Sequence, residues 1–256
     1  MVLARGGIVA ARWPGPVAAA FRRGLEEVAL AARRVLAKRS PSVDTAVVDQ
    51  PPVTGILDQA RRVGARAIVL GSRGQGLLGR LVLGSVSRGV VRRARCAVLV
   101  VKSRPREIRR LVVGVDGSVH ARHAADFVAA LTVPPRGSVT VARVVEAVRL
   151  PTLTQLPAGI RARLAAEEAA VNRERLAAAR EDVEAVAKRL QRAGWTVRRA
   201  VARGAPLTEL LGAVAAARAD LLVVGSRGAG GLERRLLGSV ADGALSRPPV
   251  AVLIVR

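Results

Sequence analysis

Gly71–Ser87 reads GSRGQGLLGRLVLGSVS, and Gly225–Ala241 reads GSRGAGGLERRLLGSVA. Each stretch has a glycine, a second glycine three positions on, and a Gly-Ser pair ten positions after that. The positions are Gly71, Gly74, Gly84 and Ser85 in the first copy, and Gly225, Gly228, Gly238 and Ser239 in the second. An apolar tetrad precedes each, Ala67–Leu70 and Leu221–Val224, with the length and character of a buried parallel strand. The residues after the Gly-Ser pair can open a helix. Strand, glycine loop and helix start together turn main-chain N–H groups toward an anion. Both stretches therefore predict phosphate binding.

A shift of 154 positions, Gly71 to Gly225, also aligns Pro52 with Pro206 and Ser85 with Ser239 without a gap. The chain is an internal duplication. The second copy reads as a strand at Leu111–Val115, Asp116-Gly117-Ser118, a helix at His120–Leu131 and a strand at Ser138–Val145. A loop at 149–159 and a long helix over Ile160–Ala193 follow, the latter with Leu164, Val171, Leu176, Val183, Val186 and Leu190 on its apolar stripe and Gly194 as its stop. Then come a strand at Trp195–Val201, a helix at Leu207–Ala217, the glycine loop, its helix, and a last strand at Ala251–Val255.

The first copy predicts a helix over Phe21–Lys38, with Leu25, Val28, Ala32 and Leu36 on one face, and with Pro14 and Pro16 breaking any helix before it. A short strand is expected at Thr45–Val48, a helix over Val53–Val63 behind Pro51 and Pro52, the glycine loop, a helix over Ser85–Arg93 and a strand at Ala97–Val101. Nothing before Phe21 matches the opening strand, helix and strand of the second copy. Either the N-terminal half has lost that β–α–β piece or the true start lies upstream. Ser103–Glu107, with Pro105, reads as the linker. Alternating strands and helices give parallel sheets with right-handed crossovers. The expected fold class is α/β: two tandem open parallel-sheet, Rossmann-like domains at 1–102 and 108–256, the first incomplete.

With 256 residues the chain is comfortable for two domains, and Phe and Trp are scarce and Tyr is absent, so Ala, Val and Leu must fill the cores. No apolar run has the length to cross a bilayer, and the start, MVLARGGIVAARWPGP, lacks an export pattern. Cytoplasm and no membrane association are expected. The single cysteine, Cys96, excludes an internal disulfide and a thiolate metal cluster and reads as a small core residue. A formal charge of +24 attracts nucleotides, nucleic acid and anionic surfaces alike. Between Gln59 and Arg106 there is no acidic residue at all, which helps to hold a polyanion without choosing one.

These residues resemble the universal stress protein family in a tandem form. The family pattern, G-x-x-G, nine residues, then G-[ST], matches both glycine stretches. LVVGVDGS at 111–118 resembles the family's first strand and its aspartate, and CAVLVV and VAVLIV resemble its last strand. The resemblance covers the second half essentially complete and about the last two thirds of the first. It implies five parallel strands per complete domain, an ATP-like nucleotide at the strand C-termini, and pairing of domains through the last strand, within one chain as a pseudo-dimer, between two chains, or both.

By that resemblance Asp116 accepts hydrogen bonds from adenine or ribose, Val144 touches the adenine, and Gly225, Arg227 and Gly228 form the loop near the phosphates. Gly238, Ser239 and Val240 begin the helix that faces phosphate oxygens. In the first half Gly71, Arg73, Gly74, Gly84, Ser85 and Val86 match, but no aspartate corresponds to Asp116, so that site is expected to be weak or empty. The implied ligand is ATP, with or without Mg²⁺, and the implied role is nucleotide-dependent stress signalling rather than efficient catalysis. An ATPase would be slow, because the site has phosphate donors but no evident Lys, carboxylate pair or positioned base. The alternatives are a family member without nucleotide that acts as a protein-interaction module, and a basic nucleic-acid binder. Against the last stand the near absence of aromatics for stacking single strands and of any helix-turn-helix or RRM signature.

Rival motifs fail. Gly74–Gly79, GQGLLG, fits the dinucleotide pattern G-x-G-x-x-G, but the second copy has Glu233 at the last glycine and no acid follows about twenty residues on. A phosphate-binding loop of the Gly-Lys-[Ser/Thr] kind needs a lysine, and neither stretch has one. His120 and His123 read as a surface pair. Asp116, Ser118 and His120 lie too close in sequence for triad geometry.

Overall fold

The computed structural model describes residues 15–38, 40, 42–72, 83–102, 107–151, 155–228, 237–246 and 250–256. They form two compact units, divided between Val98 and Leu99.

The second unit runs β3 (Arg110–Gly114), α4 (Val119–Ala129), β4 (Ser138–Val145), α5 (Ala158–Arg192), β5 (Thr196–Arg203), α6 (Pro206–Ala216), β6 (Leu221–Gly225), α7 (Ser239–Ser246) and β7 (Ala251–Val255). The strand order is β7-β6-β3-β4-β5, and every one of these pairs is parallel. Helix α4 packs with α5, and α6 packs with α7. Strands covered on both faces need no polar alternation. Accordingly Leu221–Val224 of β6 and all of β7 are buried. Pro206 sits in the first turn of α6, where its missing N–H costs nothing. The chain leaves β3 toward β4 and β5, then returns to β6 on the other side. That reversal opens a crevice between the C-terminal ends of β3 and β6.

Asp220, just before β6, fixes the start of β3. Its Oδ2 accepts from the main-chain N–H groups of Arg109 and Arg110 at 3.0 and 2.8 Å, and its Oδ1 pairs with the Arg110 guanidinium at 3.2 Å. Val171 of α5 is exposed (40 %), contrary to its expected place on the stripe. The next residue, Asn172, turns inward instead and holds the loop after β4, accepting from Val148 N at 2.8 Å and donating to Val148 O at 2.9 Å.

The first unit contains α1 (Gly15–Ala37), α2 (Pro52–Arg62), β1 (Ala67–Gly71), α3 (Ser85–Arg93) and the start of β2 (Ala97–Val101). Ala97 N donates to Arg66 O at 3.3 Å beside β1. Shifted by 154 positions, α2, β1 and β2 coincide end for end with α6, β6 and β7. Two expectations need correction. Helix α1 begins at Gly15, because Pro16 stands in the first turn, where proline opens rather than breaks a helix. Thr45–Val48 is not a strand. Its counterpart β5 pairs with β4, and the described part of the first copy has no β4 equivalent to supply a ladder. The same gap explains Val69, which is 63 % exposed while its counterpart Val223 is fully buried. Arg66 stands where the second copy has the strand-fixing Asp220.

Candidate functional site

The crevice of the second unit holds a pocket of about 170 Å³. All eight second-half site residues line it: Asp116, Val144, Gly225, Arg227, Gly228, Gly238, Ser239 and Val240. Val115, Ala121, Ala142, Leu210 and Val224 add an apolar wall. The pocket thus has an apolar slot with a carboxylate at one element end, and a glycine loop with a helix N-terminus at another.

Each part follows from local structure. Val115 N still bonds to Ala142 O at 2.9 Å, and Asp116 then leaves the sheet. Its Oδ1 accepts from Ser118 N at 2.9 Å, and Gly117 turns the chain with a φ of +80° that favours glycine. Ser118 caps α4, its Oγ accepting from Ala121 N at 3.1 Å. The same hydroxyl donates to Arg227 O at 3.4 Å and so ties the β3 loop to the glycine loop.

The glycine loop is set by close approach. A Cβ on Gly225 would stand 2.7–2.9 Å from the main chain and Cβ of His120. A Cβ on Gly228 would stand 2.7 Å from Asp116 Oδ2. The loop is closed by Gly238 N donating to Ser226 O at 2.9 Å, and Asp242 N bonds to Gly238 O at 2.9 Å as the first helical bond of α7. The N–H groups of Ser239, Val240 and Ala241 precede that bond, so helix geometry leaves them available to an anion.

Among the described residues, Arg227 Nε and Ser226 Oγ are buried without a hydrogen-bond partner. Buried donors of this kind fit a ligand rich in acceptor oxygens. Such an adenine nucleotide would use the apolar slot for its base, Asp116 for a ribose or base donor, and the loop and α7 start for phosphate. Among the described residues no group of three or more His, Cys, Asp or Glu could hold a metal ion. A divalent cation here would be carried chiefly by the nucleotide's own phosphates.

His120 is not the surface residue expected. It is half-buried, its Nδ1 is buried without a partner among the described residues, and its ring meets that of His123 edge to face with centroids 6.2 Å apart. Burial, then the positive charges of Arg227, His123 and Arg256, hold its pKa down, against the opposing pull of Asp116. His123 Nδ1 lies 3.0 Å from Arg256 O. Arg143, whose charge also lies near Asp116, is held by Asp182 of α5. The roles of Ser118, His120 and Leu210 were not read from the sequence. Only the N-cap pattern of Ser118 carried a signal.

The first unit repeats the loop frame. Gly84 N donates to Ser72 O at 2.8 Å and Arg88 N to Gly84 O at 3.0 Å, as at Gly238 and Asp242 in the second copy. Ser87 Oγ adds a bond to Gly71 O at 2.7 Å, where the second copy has Ala241. Gly71, Gly84, Ser85 and Val86 fall at the end of β1 and the start of α3. Arg73 and Gly74 lie outside the described residues.

Comparison with known proteins agrees with both copies. The family model for the universal stress protein family matches residues 3–102 and again 107–256. A universal stress protein of Mycobacterium tuberculosis is 35 % identical over 246 residues, covering 90 % of this chain and 74 % of that one. Another from the same species is 32 % identical over 205 residues, covering 74 % and 58 %. Among solved structures, a universal stress protein from Archaeoglobus fulgidus superposes with a TM-score of 0.60 at 20 % identity, covering 92 % of this chain and 77 % of that one. A functionally unknown protein from Pseudomonas aeruginosa gives 0.58 at 19 % identity, covering 91 % and 77 %. Those two likenesses show the fold. The duplicated loops, the β7-β6-β3-β4-β5 order of the second unit and the paired family matches lead to one assignment: this chain belongs to the universal stress protein family.

Proposed function

We propose that the second unit binds ATP in the β3–β6 crevice, and that the protein is a nucleotide-dependent module of stress signalling. The domains that carry this reading are 1–102 and 108–256. The observation in its favour is convergence: residues far apart in sequence, Asp116, Val144, Gly228 and Ser239 among them, line one pocket. Its buried, unpartnered donor, Arg227 Nε, supplies what a polyphosphate lacks in a protein interior. Arg227 and the α7 N-terminus hold the phosphates, and Asp116 orients the nucleoside. Hydrolysis is slow at best, because the described lining offers one carboxylate and no lysine to move a proton or stabilise a leaving group.

The test is to denature the purified protein and quantify released adenine nucleotide, with Gly228→Ala and Asp116→Ala beside the parent. About one nucleotide per chain, lost in both variants, supports the reading. None released, with none bound on titration, overturns it in favour of a nucleotide-free interaction module.

A further inference from the structure

The first unit has a second cavity, of about 530 Å³, at the opposite end of β1 from its glycine loop. Leu57 and Ala60 of α2, with Ala65 and Ile68, form its apolar lining, while Arg61, Arg93 and Arg95 stand at its rim beside Cys96. Asp58 is paired with Arg61. Arg93 and Arg95 have no ion-pair or hydrogen-bond partner among the described residues, and their stretch of sequence contains no acid.

The duplicated scaffold shows that the fold does not require this arrangement. At the positions of Ala60 and Gly64 the second copy has the larger Val214 and Arg218, and at Arg61, Arg95 and Cys96 it has Ala215, Pro249 and Val250. Gly64 and Arg218 share the left-handed conformation, with φ of +60° and +47°. A Cβ on Gly64 would meet nothing within 4 Å. Relative to the second copy, the first has less bulk at two positions around the cavity and arginines at 61 and 95 that the second lacks, while Arg93 is matched by Arg247.

We propose that this cavity binds a small amphiphilic organic anion, with its apolar body on Leu57, Ala60 and Ile68 and its carboxylate or phosphate between Arg93 and Arg95. Guanidinium groups match either head group with two parallel hydrogen bonds. The volume falls in the range usual for small-molecule sites. The site is separate from the nucleotide pocket and depends on no part of that reading.

Calorimetric titration of the full chain with decanoate, decyl phosphate, decanol and inorganic phosphate tests the proposal. The single cysteine reports location, through the rate at which a neutral dipyridyl disulfide labels Cys96. Decanoate or decyl phosphate is expected to bind and slow labelling several-fold, and decanol and inorganic phosphate to do neither. The Arg93→Ala/Arg95→Ala variant should lose at least 10-fold in affinity. Gly64→Arg, which copies the second unit, should block binding with ATP binding unchanged. No binding, equal binding by decanol or by inorganic phosphate, or full affinity in the double-arginine variant would overturn it.

Discussion

Gly228 faces Asp116 so closely that a Cβ on the glycine would stand 2.7 Å from the Asp116 Oδ2 atom. The glycine loop and the carboxylate after β3 are thus one fitted surface, although 112 positions separate the two residues (228 minus 116). Any side chain at 228 must displace either the carboxylate or the loop.

Gly228→Ala should therefore weaken ATP binding by about 10- to 100-fold, the loss of roughly one charge-assisted hydrogen bond. Gly228 is exposed, so thermal stability should change little. Isothermal titration beside thermal unfolding separates the two effects. An affinity within twofold of the parent would refute the fitted-surface argument.

Asp220 should matter for folding and not for the ligand. Burial pushes its carboxyl pKa up, but bonds from the Arg110 main chain and guanidinium and from the Arg109 N–H outweigh that and leave it below the ordinary value of 3.8. A depressed pKa gives stability that is present above the ordinary pKa and lost as pH falls through the folded one. Asp220→Asn is expected to cost about 1–3 kcal/mol near neutral pH. Chemical denaturation at a series of pH values should show the parent's advantage shrinking as pH falls from the ordinary value of 3.8 through the lower folded one.

His120 predicts a second, milder pH dependence. Its folded pKa lies below 6.5, first because of burial and then because Arg227, His123 and Arg256 surround it with positive charge. The unfolded chain takes up a proton before the folded one, so stability is full above about pH 6.5 and declines as pH falls through the lowered value. His120→Gln should flatten this part of the stability profile. An unchanged profile would show that His120 does not titrate differently on unfolding.

Salt separates a nucleotide site from a generally basic surface. A protein that neutralises six to ten phosphates of duplex DNA loses about 10³- to 10⁵-fold in affinity between 50 and 200 mM salt. Affinity for ATP in the crevice should fall by less than about 10-fold, because few charges are involved and the Arg227 Nε donor is shielded from solvent. Fluorescence titration at the two salt concentrations decides between them, and a steep loss would point to the outer arginines instead.

The sequence by itself determined the duplication, the α/β class and the composition of the loop. Apolar tetrads, proline at helix starts and glycine at fixed spacing act within a few residues. For that reason Ser85–Arg93, Ala97–Val101, Ser138–Val145 and Ala251–Val255 appear where their residues predict. Asp116 and Gly228 were named through the family resemblance, and both line one pocket.

Tertiary structure alone decided the rest. Thr45–Val48 has strand-forming residues, yet a strand exists only with a partner to accept its hydrogen bonds. Val69 and Val223 occupy the same repeat position and differ from 63 % exposed to fully buried, because burial depends on what packs above. His120 turned inward because Gly225 lets helix α4 approach the glycine loop. Pairing, burial and cavity shape are properties of two segments at once, and neither segment's own residues contain them.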